Sequence, residues 1–98
     1  MNNARRKEIK ATIQHLKELV ETTSVEFDNI KSEIKSIQED EQQALDNMPE
    51  SLEGSERYSA IEDALENLQS ALDSVDEADS AFTEAVDEVI SSLEDAST

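Results

Sequence analysis

The chain has 98 residues, with 25 Asp and Glu against 8 Lys and Arg and a formal net charge of −17. The absence of Cys excludes disulfides, thiol nucleophiles and zinc–thiolate sites. One Gly and one Pro exclude a Gly-rich phosphate loop and a turn-rich β sandwich. The longest apolar runs are two residues, such as Leu19-Val20, so we expect no membrane span and no signal peptide. These counts predict one soluble domain, which we expect to be cytoplasmic.

The first half predicts a long helix from about Ala4 to Asn47. Apolar residues recur there at alternating steps of four and three, and ten of the twelve positions in this row are apolar. A mean period of 3.5 residues is typical of helices packed as a coiled coil. The row consists of Ile9, Ile13, Leu16, Val20, Thr23, Phe27, Ile30, Ile34, Ile37, Glu41, Ala44 and Met48.

The second half predicts a matching helix from about Glu56 to Asp95. Its row has one polar member and consists of Tyr58, Ile61, Leu65, Leu68, Leu72, Val75, Asp79, Phe82, Val86, Val89, Leu93 and Ala96. In the loop between them, residues 48–55, Pro49 ends the first helix and Ser55 can cap the second. Because this loop is short, the helices must fold back on each other. The predicted fold is all-α, an antiparallel two-helix hairpin of coiled-coil type over residues 1–98.

The polar residues within the two rows favour one register. If Thr23 lies opposite Asp79, the numbers of facing residues sum to 102 and the hydroxyl can satisfy the carboxylate. A sum of 109 would bury Asp79 against Ile30, which is costly. The antiparallel fold-back itself predicts that the basic residues near the N-terminus lie beside acids near the end of the second helix and match their charge. Those bases are Arg5, Arg6, Lys7 and Lys10, and the acids are Asp87, Glu88, Glu94 and Asp95.

A row of alanines widens the apolar stripe of the second helix. It consists of Ala64, Ala71, Ala78 and Ala85, at intervals of seven residues beside the heptad row. Small side chains allow another helix to approach closely, and a lone hairpin buries little surface. We therefore predict self-association through this row, most simply as a homodimer that forms a four-helix bundle. The alternative is a monomer with an alanine-rich shoulder.

The negative charge is concentrated in the second half. Residues 1–49 carry 10 acids and 7 bases, whereas residues 50–98 carry 15 acids and only Arg57 as a base. Such a surface can simply solvate the helix, or it can bind a basic partner, for example by occupying the DNA-binding groove of another protein. The candidate partner-binding acids are Glu62, Asp63, Glu66, Asp73, Asp76, Glu77, Glu84, Asp87 and Glu88.

Enzymatic chemistry has little support in the sequence. The single histidine, His15, falls on the outward side of the first helix, with no Cys or catalytic serine arrangement to join it. The acids from Asp73 to Asp79 resemble a calcium loop in spacing alone and lack its central glycine. We expect no catalytic residue, no metal and no cofactor, and the acid excess argues against nucleic acid or membranes as direct partners.

The segment Asn47–Tyr58, together with Ala4-Arg5-Arg6-Lys7 and the Ala-Leu-Glu-rich second helix, resembles short acidic proteins of bacteriophages, prophages and mobile elements of Gram-positive bacteria. Their activity is unsettled, so the resemblance implies a setting inside a bacterial host more than a mechanism. In that setting, small acidic proteins often inhibit defence nucleases or other DNA-binding proteins, some by imitating DNA.

Two functions follow as expectations. The first is a non-enzymatic acidic inhibitor that binds a basic host or phage protein through its carboxylates; the alternative is a structural or adaptor coiled coil that assembles through its apolar row. In the loop, Leu52, Arg57 and Tyr58 either close the end of the bundle or form a tip that contacts a partner. We expect Arg57 to neutralise Glu53 or Asp46, since a cation is disfavoured in the first turn of a helix.

Overall fold

A computed structural model describes all 98 residues and contains two long α-helices and no β-strand, which confirms the predicted all-α hairpin. Helix α1 spans Asn3–Asp46 and helix α2 spans Glu56–Ala96. The predicted helix ends differ from these by one residue at three of the four positions. The chain divides into two compact units. We call Met1–Phe27 with Glu77–Thr98 the terminal unit and Asp28–Asp76 the loop unit.

Both helices begin at a side-chain cap. The Ser55 hydroxyl oxygen accepts a hydrogen bond from the Tyr58 N–H at 3.2 Å, which confirms the predicted cap of α2. At the start of α1 the Asn2 Oδ1 accepts from the Arg5 N–H at 2.9 Å. Asn and Ser are favoured at this position because their short side chains satisfy backbone N–H groups that have no partner within the helix.

The loop reverses the chain through a short 3₁₀ helix, Glu50–Leu52. The Leu52 N–H donates to the Pro49 carbonyl at 2.9 Å, and the Ser55 N–H donates to the Leu52 carbonyl at 3.1 Å. Gly54 has a φ of +81°, a conformation that side-chain-bearing residues rarely adopt. The single glycine of the chain therefore occupies the position where the turn needs one.

Side chains that are at least partly covered define the register of the loop unit. On α1 they are Lys31, Ile34, Gln38, Glu41, Leu45 and Met48, and on α2 they are Tyr58, Ile61, Leu65, Leu68, Leu72 and Val75. Taken in opposite directions, the two series pair off with residue numbers that sum to 106. Two cross-helix contacts, between Lys31 and Asp76 and between Gln38 and Gln69, agree with this alignment. The predicted register, with a sum of 102, is wrong.

The covered residues of the terminal unit have the same alignment. On α1 they are Ile9, Ile13, Leu16, Val20, Thr23, Ser24 and Phe27, and on α2 they are Asp79, Phe82, Thr83, Val86, Ile90 and Leu93, followed by Ser97. Their pairing places Asp79 opposite Phe27 and Thr23 opposite Thr83. The predicted pairing of Thr23 with Asp79 is therefore also wrong.

The covered stripe departs from the heptad row within each unit. In the loop unit, Lys31 and Gln38 are half-buried, whereas Ile30 and Ile37 are 41% and 52% exposed. In the terminal unit, Ile90 is covered and Val89 is 47% exposed. A straight α-helix has 3.6 residues per turn, so a strict seven-residue repeat drifts by about 20° per heptad. Over several heptads the contact stripe therefore moves forward by one residue.

The core is thin and lies on α2. Ile61, Leu72 and Val86 are the only buried hydrophobic residues, and α1 has no buried residue. No side chain in the chain is fully enclosed. Neither helix contains an apolar stretch with the length to cross a membrane.

Candidate functional site

The candidate acids of the loop unit share one side of α2. Glu62, Asp63, Glu66, Asp73 and Asp76 are all exposed. At 3.6 residues per turn, their spacing keeps them on about two fifths of the helix circumference. From Arg57 to Ser74, the side of α2 beyond the apolar row carries no acid, and its residues are Arg57, Ala60, Ala64, Asn67, Ala71 and Ser74. The charge of this segment is therefore strongly one-sided.

Two of these five acids have partners inside the protein. Lys31 Nζ lies 3.1 Å from Asp76 Oδ1 and 3.5 Å from Asp28 Oδ1. Hydrogen bonding to Asp76, with a smaller contribution from Asp28, raises the pKa of Lys31 above its ordinary value. Asp73 accepts a hydrogen bond from Gln69 Nε2 at 3.1 Å. The three remaining acids have neither an ion pair nor a side-chain hydrogen bond, so their carboxylates are available to a partner.

The terminal unit carries the other four candidate acids, Glu77, Glu84, Asp87 and Glu88, all exposed and without ion pairs. Glu84 borders an open polar groove of about 340 Å³, together with Ser24, Asp79, Ser80 and Thr83. Because Asp79 lines this groove, its half-buried carboxylate keeps access to water. This hydration explains why Asp79 can lie opposite Phe27 and needs no hydroxyl from Thr23.

The basic residues near the N-terminus form no salt bridge with the acids beside which the sequence predicted them. Arg5, Arg6, Lys7 and Lys10 lie in the terminal unit, and the only salt bridges in the protein are those of Lys31. Arg6 Nε donates instead to the Ser97 carbonyl oxygen at 3.1 Å. Carbonyl groups at a helix C-terminus lack backbone partners and carry partial negative charge, so a guanidinium is well placed there.

The candidate loop residues differ in their surroundings. Leu52 is 44% exposed, and it lines a groove of about 260 Å³ with Arg57, Ala44, Asn47, Met48 and Pro49. Tyr58 is half-buried at the first layer of the helix pair. Arg57 forms no salt bridge, so the expected neutralisation of Glu53 or Asp46 is wrong.

The alanine row differs between the two units. Ala64 and Ala71 are half-buried in the loop unit, whereas Ala78 and Ala85 are exposed in the terminal unit. The sequence prediction also assigned Ile30 and Ile37 to the core, and the structure exposes both. Their exposure could have been expected from the sequence, because a straight helix drifts away from a strict heptad and turns these two residues out of the contact stripe.

The loop unit therefore has two unlike flanks. We call the side with Lys31, Gln38, Gln42, Gln69 and Asp76 the polar flank, where Gln38 Nε2 donates to Gln69 Oε1 at 3.1 Å. We call the side with Ile30, Ile37, Ala44, Ala64 and Ala71 the apolar flank. No hydrogen bond or ion pair joins the two helices on the apolar flank.

The remaining titratable side chains named in the sequence analysis are spread along the surface of the helices. His15 is exposed on α1, and no group of three or more Asp, Glu or His side chains is arranged to hold a metal ion. Comparison of the chain with protein-family models, with curated proteins and with solved structures found no match.

Proposed function

We propose that the protein is a non-enzymatic inhibitor that binds a basic protein through the nine exposed acids of α2, which we call the acidic face. The observation that supports this best is the one-sided charge of α2 in the loop unit. Charges of both signs, scattered around a helix, are sufficient for hydration. Like charges three and four residues apart oppose helix formation, and a binding surface gives a reason to retain them. The acidic face consists of Glu62, Asp63, Glu66, Asp73, Asp76, Glu77, Glu84, Asp87 and Glu88.

The charge spacing points to a partner that binds DNA. From Glu62 to Asp76 the helix carries five acids, about one per 4.5 Å of axis at a rise of 1.5 Å per residue. One strand of B-DNA carries a phosphate about every 3.4 Å. A basic groove shaped for a phosphate backbone therefore meets a similar charge density on α2. We propose a DNA-binding or defence protein of a bacterial host or phage as the partner, with the acidic face imitating DNA.

Charge reversal tests this proposal. In the variant Glu62→Lys/Glu66→Lys/Asp87→Lys we expect binding to weaken by about tenfold or more, because attraction at each site becomes repulsion. The control is Glu21→Lys/Glu26→Lys/Glu39→Lys, which makes the same charge change at exposed positions of α1. The measurement is displacement of a labelled DNA duplex from the DNA-binding protein fraction of a Gram-positive bacterial lysate, with helicity checked by circular dichroism.

The outcomes separate a specific face from net charge. The proposal expects displacement by the wild type and by the α1 control, and loss of displacement in the α2 variant. Equal loss in both variants would mean that net charge alone acts. Failure of the wild type to displace DNA would remove DNA imitation as the function.

A second candidate is a structural or adaptor hairpin that assembles through apolar contacts. The exposure of Ile30 and Ile37 on the apolar flank favours it. Here function would follow assembly and would survive charge reversal on α2. For both candidates we propose a homodimer with four helices as the working form, since the helix pair alone encloses no side chain fully.

A further inference from the structure

The apolar flank of the loop unit presents an aligned row of exposed side chains. Ile30 is 41% exposed and Ile37 is 52% exposed, and Ala44 continues the row at the same interval of seven residues. Seven residues correspond to about 10.5 Å along a helix, so these side chains lie on one side of α1. Single exposed hydrophobic residues are ordinary, whereas a row rimmed by polar residues is typical of an interaction surface.

A row of small residues on α2 borders the same flank. In an antiparallel helix pair, the residues that directly precede the matched contact positions lie on one side of both helices. Ile30 and Ile37 precede Lys31 and Gln38 in α1, as Ala64 and Ala71 precede their contact residues in α2. The groove lined by both Ala44 and Arg57 supports this placement, since Arg57 lies seven residues before Ala64. The flank thus combines large side chains on α1 with small ones on α2.

The apolar flank is also the side of α2 that lacks acids. The loop unit carries 14 acids and 3 bases, yet from Arg57 onward the positions of α2 on and next to this flank are Arg57, Ala60, Ala64, Asn67, Ala71 and Ser74. A second copy with the same negative charge is repelled by most of the surface. On α1, Glu33 and Asp40 lie beside Ile37, so repulsion between copies is least when α1 of one copy meets the acid-free side of its partner's α2.

The exposed area leaves room for such a contact. The chain exposes 7115 Å² to solvent. A compact monomer of this mass exposes about 5,600 Å², which leaves an excess of about 1,500 Å². Specific protein interfaces bury about 800 Å² on each partner. The excess, which is summed over the whole chain, is therefore larger than the area that one standard interface buries on a partner.

We infer that the apolar flank of the loop unit is the interface for a second copy of this chain. In the dimer, α1 of one copy packs antiparallel on α2 of its partner about a two-fold axis. Ile30 and Ile37 then fill the space above the small alanines of the opposing α2, as large side chains fit beside small ones in helix bundles. This inference names the dimer surface and is independent of the acidic face.

One substitution tests the surface against a matched control. Ile37→Glu places a charge on the apolar flank, and Val25→Glu makes the same type of change at a residue of the terminal unit that is 57% exposed. By light scattering at micromolar concentration, we expect the wild type and Val25→Glu at twice the 10.9 kDa chain mass and Ile37→Glu at the chain mass. A monomeric wild type, or dissociation by both substitutions, would overturn the inference.

An uncharged variant tests the same surface if Ile37→Glu lowers helicity. Ile30→Gln/Ile37→Gln removes the apolar row with good helix formers and no charge. We expect this variant to be monomeric with helicity near that of the wild type. A helical variant that stays dimeric would show that the copies meet elsewhere.

Disulfide trapping tests the arrangement, and the absence of native Cys makes it selective. A mixture of Ile37→Cys and Ala71→Cys chains should form a mixed disulfide, because the arrangement brings these positions of different copies together. A disulfide needs Cβ atoms about 3.5–4.5 Å apart. The control mixture is Gln42→Cys with Gln69→Cys on the polar flank, which should stay unlinked. Equal linkage in both mixtures would contradict the arrangement.

These outcomes are separable from those of the proposed function. The acidic-face variant Glu62→Lys/Glu66→Lys/Asp87→Lys should remain dimeric, since none of its three sites lies on the apolar flank. A wild-type dimer that displaces no DNA would support the interface alone. A wild-type monomer that displaces DNA would support the acidic face alone.

Discussion

The two flanks of the loop unit are built from the same two helices, but polar side-chain contacts join the helices on only one flank. On the polar flank, Lys31 reaches Asp76 and Gln38 reaches Gln69. On the apolar flank, Ile37 remains exposed. Both cross-helix contacts belong to the same alignment as the covered apolar layers, so the polar flank supports that register. The comparison teaches that register and association can depend on opposite sides of one thin hairpin.

The largest expected effect lies between the flanks, at Leu72, which is 6% exposed. Leu72→Ala should lower the free energy of unfolding by about 2–4 kcal/mol, because it removes buried methyl groups and leaves a cavity. Ile37→Ala should cost about 0.5 kcal/mol or less in the monomer. In the dimer it should cost more, by an amount that grows with protein concentration.

Urea unfolding at two protein concentrations measures both values. If Ile37→Ala costs as much as Leu72→Ala at the lower concentration, Ile37 belongs to the core of the single chain. The contrast between the flanks would then be wrong.

The helices and the loop were predictable from local rules. Pro49, Gly54 and Ser55 each have a conformational or capping preference that depends on a few neighbouring residues, and the structure places each where that preference is met. The apolar rows likewise predicted two long helices. The acids of α2 could be assigned to one side from their spacing alone, although no spacing says what they bind.

The register was not predictable by the same means, because it depends on how straight the helices are. The predicted register was chosen to give the Asp79 carboxylate a hydrogen-bond partner, whereas in the structure Asp79 lines an open polar groove. It also placed Ile30 in the contact row, where the structure has Lys31. A lysine can pack its aliphatic stem between helices and extend its ammonium group to the edge, as Lys31 does toward Asp76. That behaviour let Lys31 replace Ile30 in the contact stripe.

A smaller effect is expected at the N-terminal cap of α2, which lies at the loop end of both flanks. Ser55→Ala should destabilise the hairpin by about 1 kcal/mol, because the Tyr58 N–H loses its side-chain acceptor. Ser59→Ala is the control, since the Ser59 hydroxyl is exposed and forms no hydrogen bond within the protein. Thermal unfolding followed by circular dichroism measures both. Equal effects would mean that serine composition, and not the cap, is responsible.

Added salt should raise the stability of the hairpin modestly, because it acts on the repulsion among the acids. The net charge of −17 opposes compaction, and added salt screens that repulsion. We expect the Tm of the wild type to rise from low to moderate ionic strength. The rise should be smaller for the acidic-face variant Glu62→Lys/Glu66→Lys/Asp87→Lys, which carries less negative charge. A flat or falling wild-type trend would indicate that the acids are already neutralised within the assembly.

The smallest effect is expected on the polar flank and appears only at alkaline pH. Asp76, with Asp28, raises the pKa of Lys31 above its ordinary value of 10.5. A group whose pKa is raised by folding stabilises the native state fully below its unfolded pKa. That stabilisation is lost as the pH rises through the folded value. The wild type should therefore lose stability above about pH 10.5 more steeply than Lys31→Met, which keeps an apolar stem but cannot titrate.

Lys35→Met is the matched control for this titration, because Lys35 is exposed and forms no ion pair. Its alkaline stability profile should follow that of the wild type. Urea unfolding from pH 9 to 11.5 distinguishes the variants. If Lys31→Met keeps the wild-type slope, the contact with Asp76 does not hold the polar flank in solution. The register would then depend on the apolar layers alone, and the two flanks would differ in composition but not in their role.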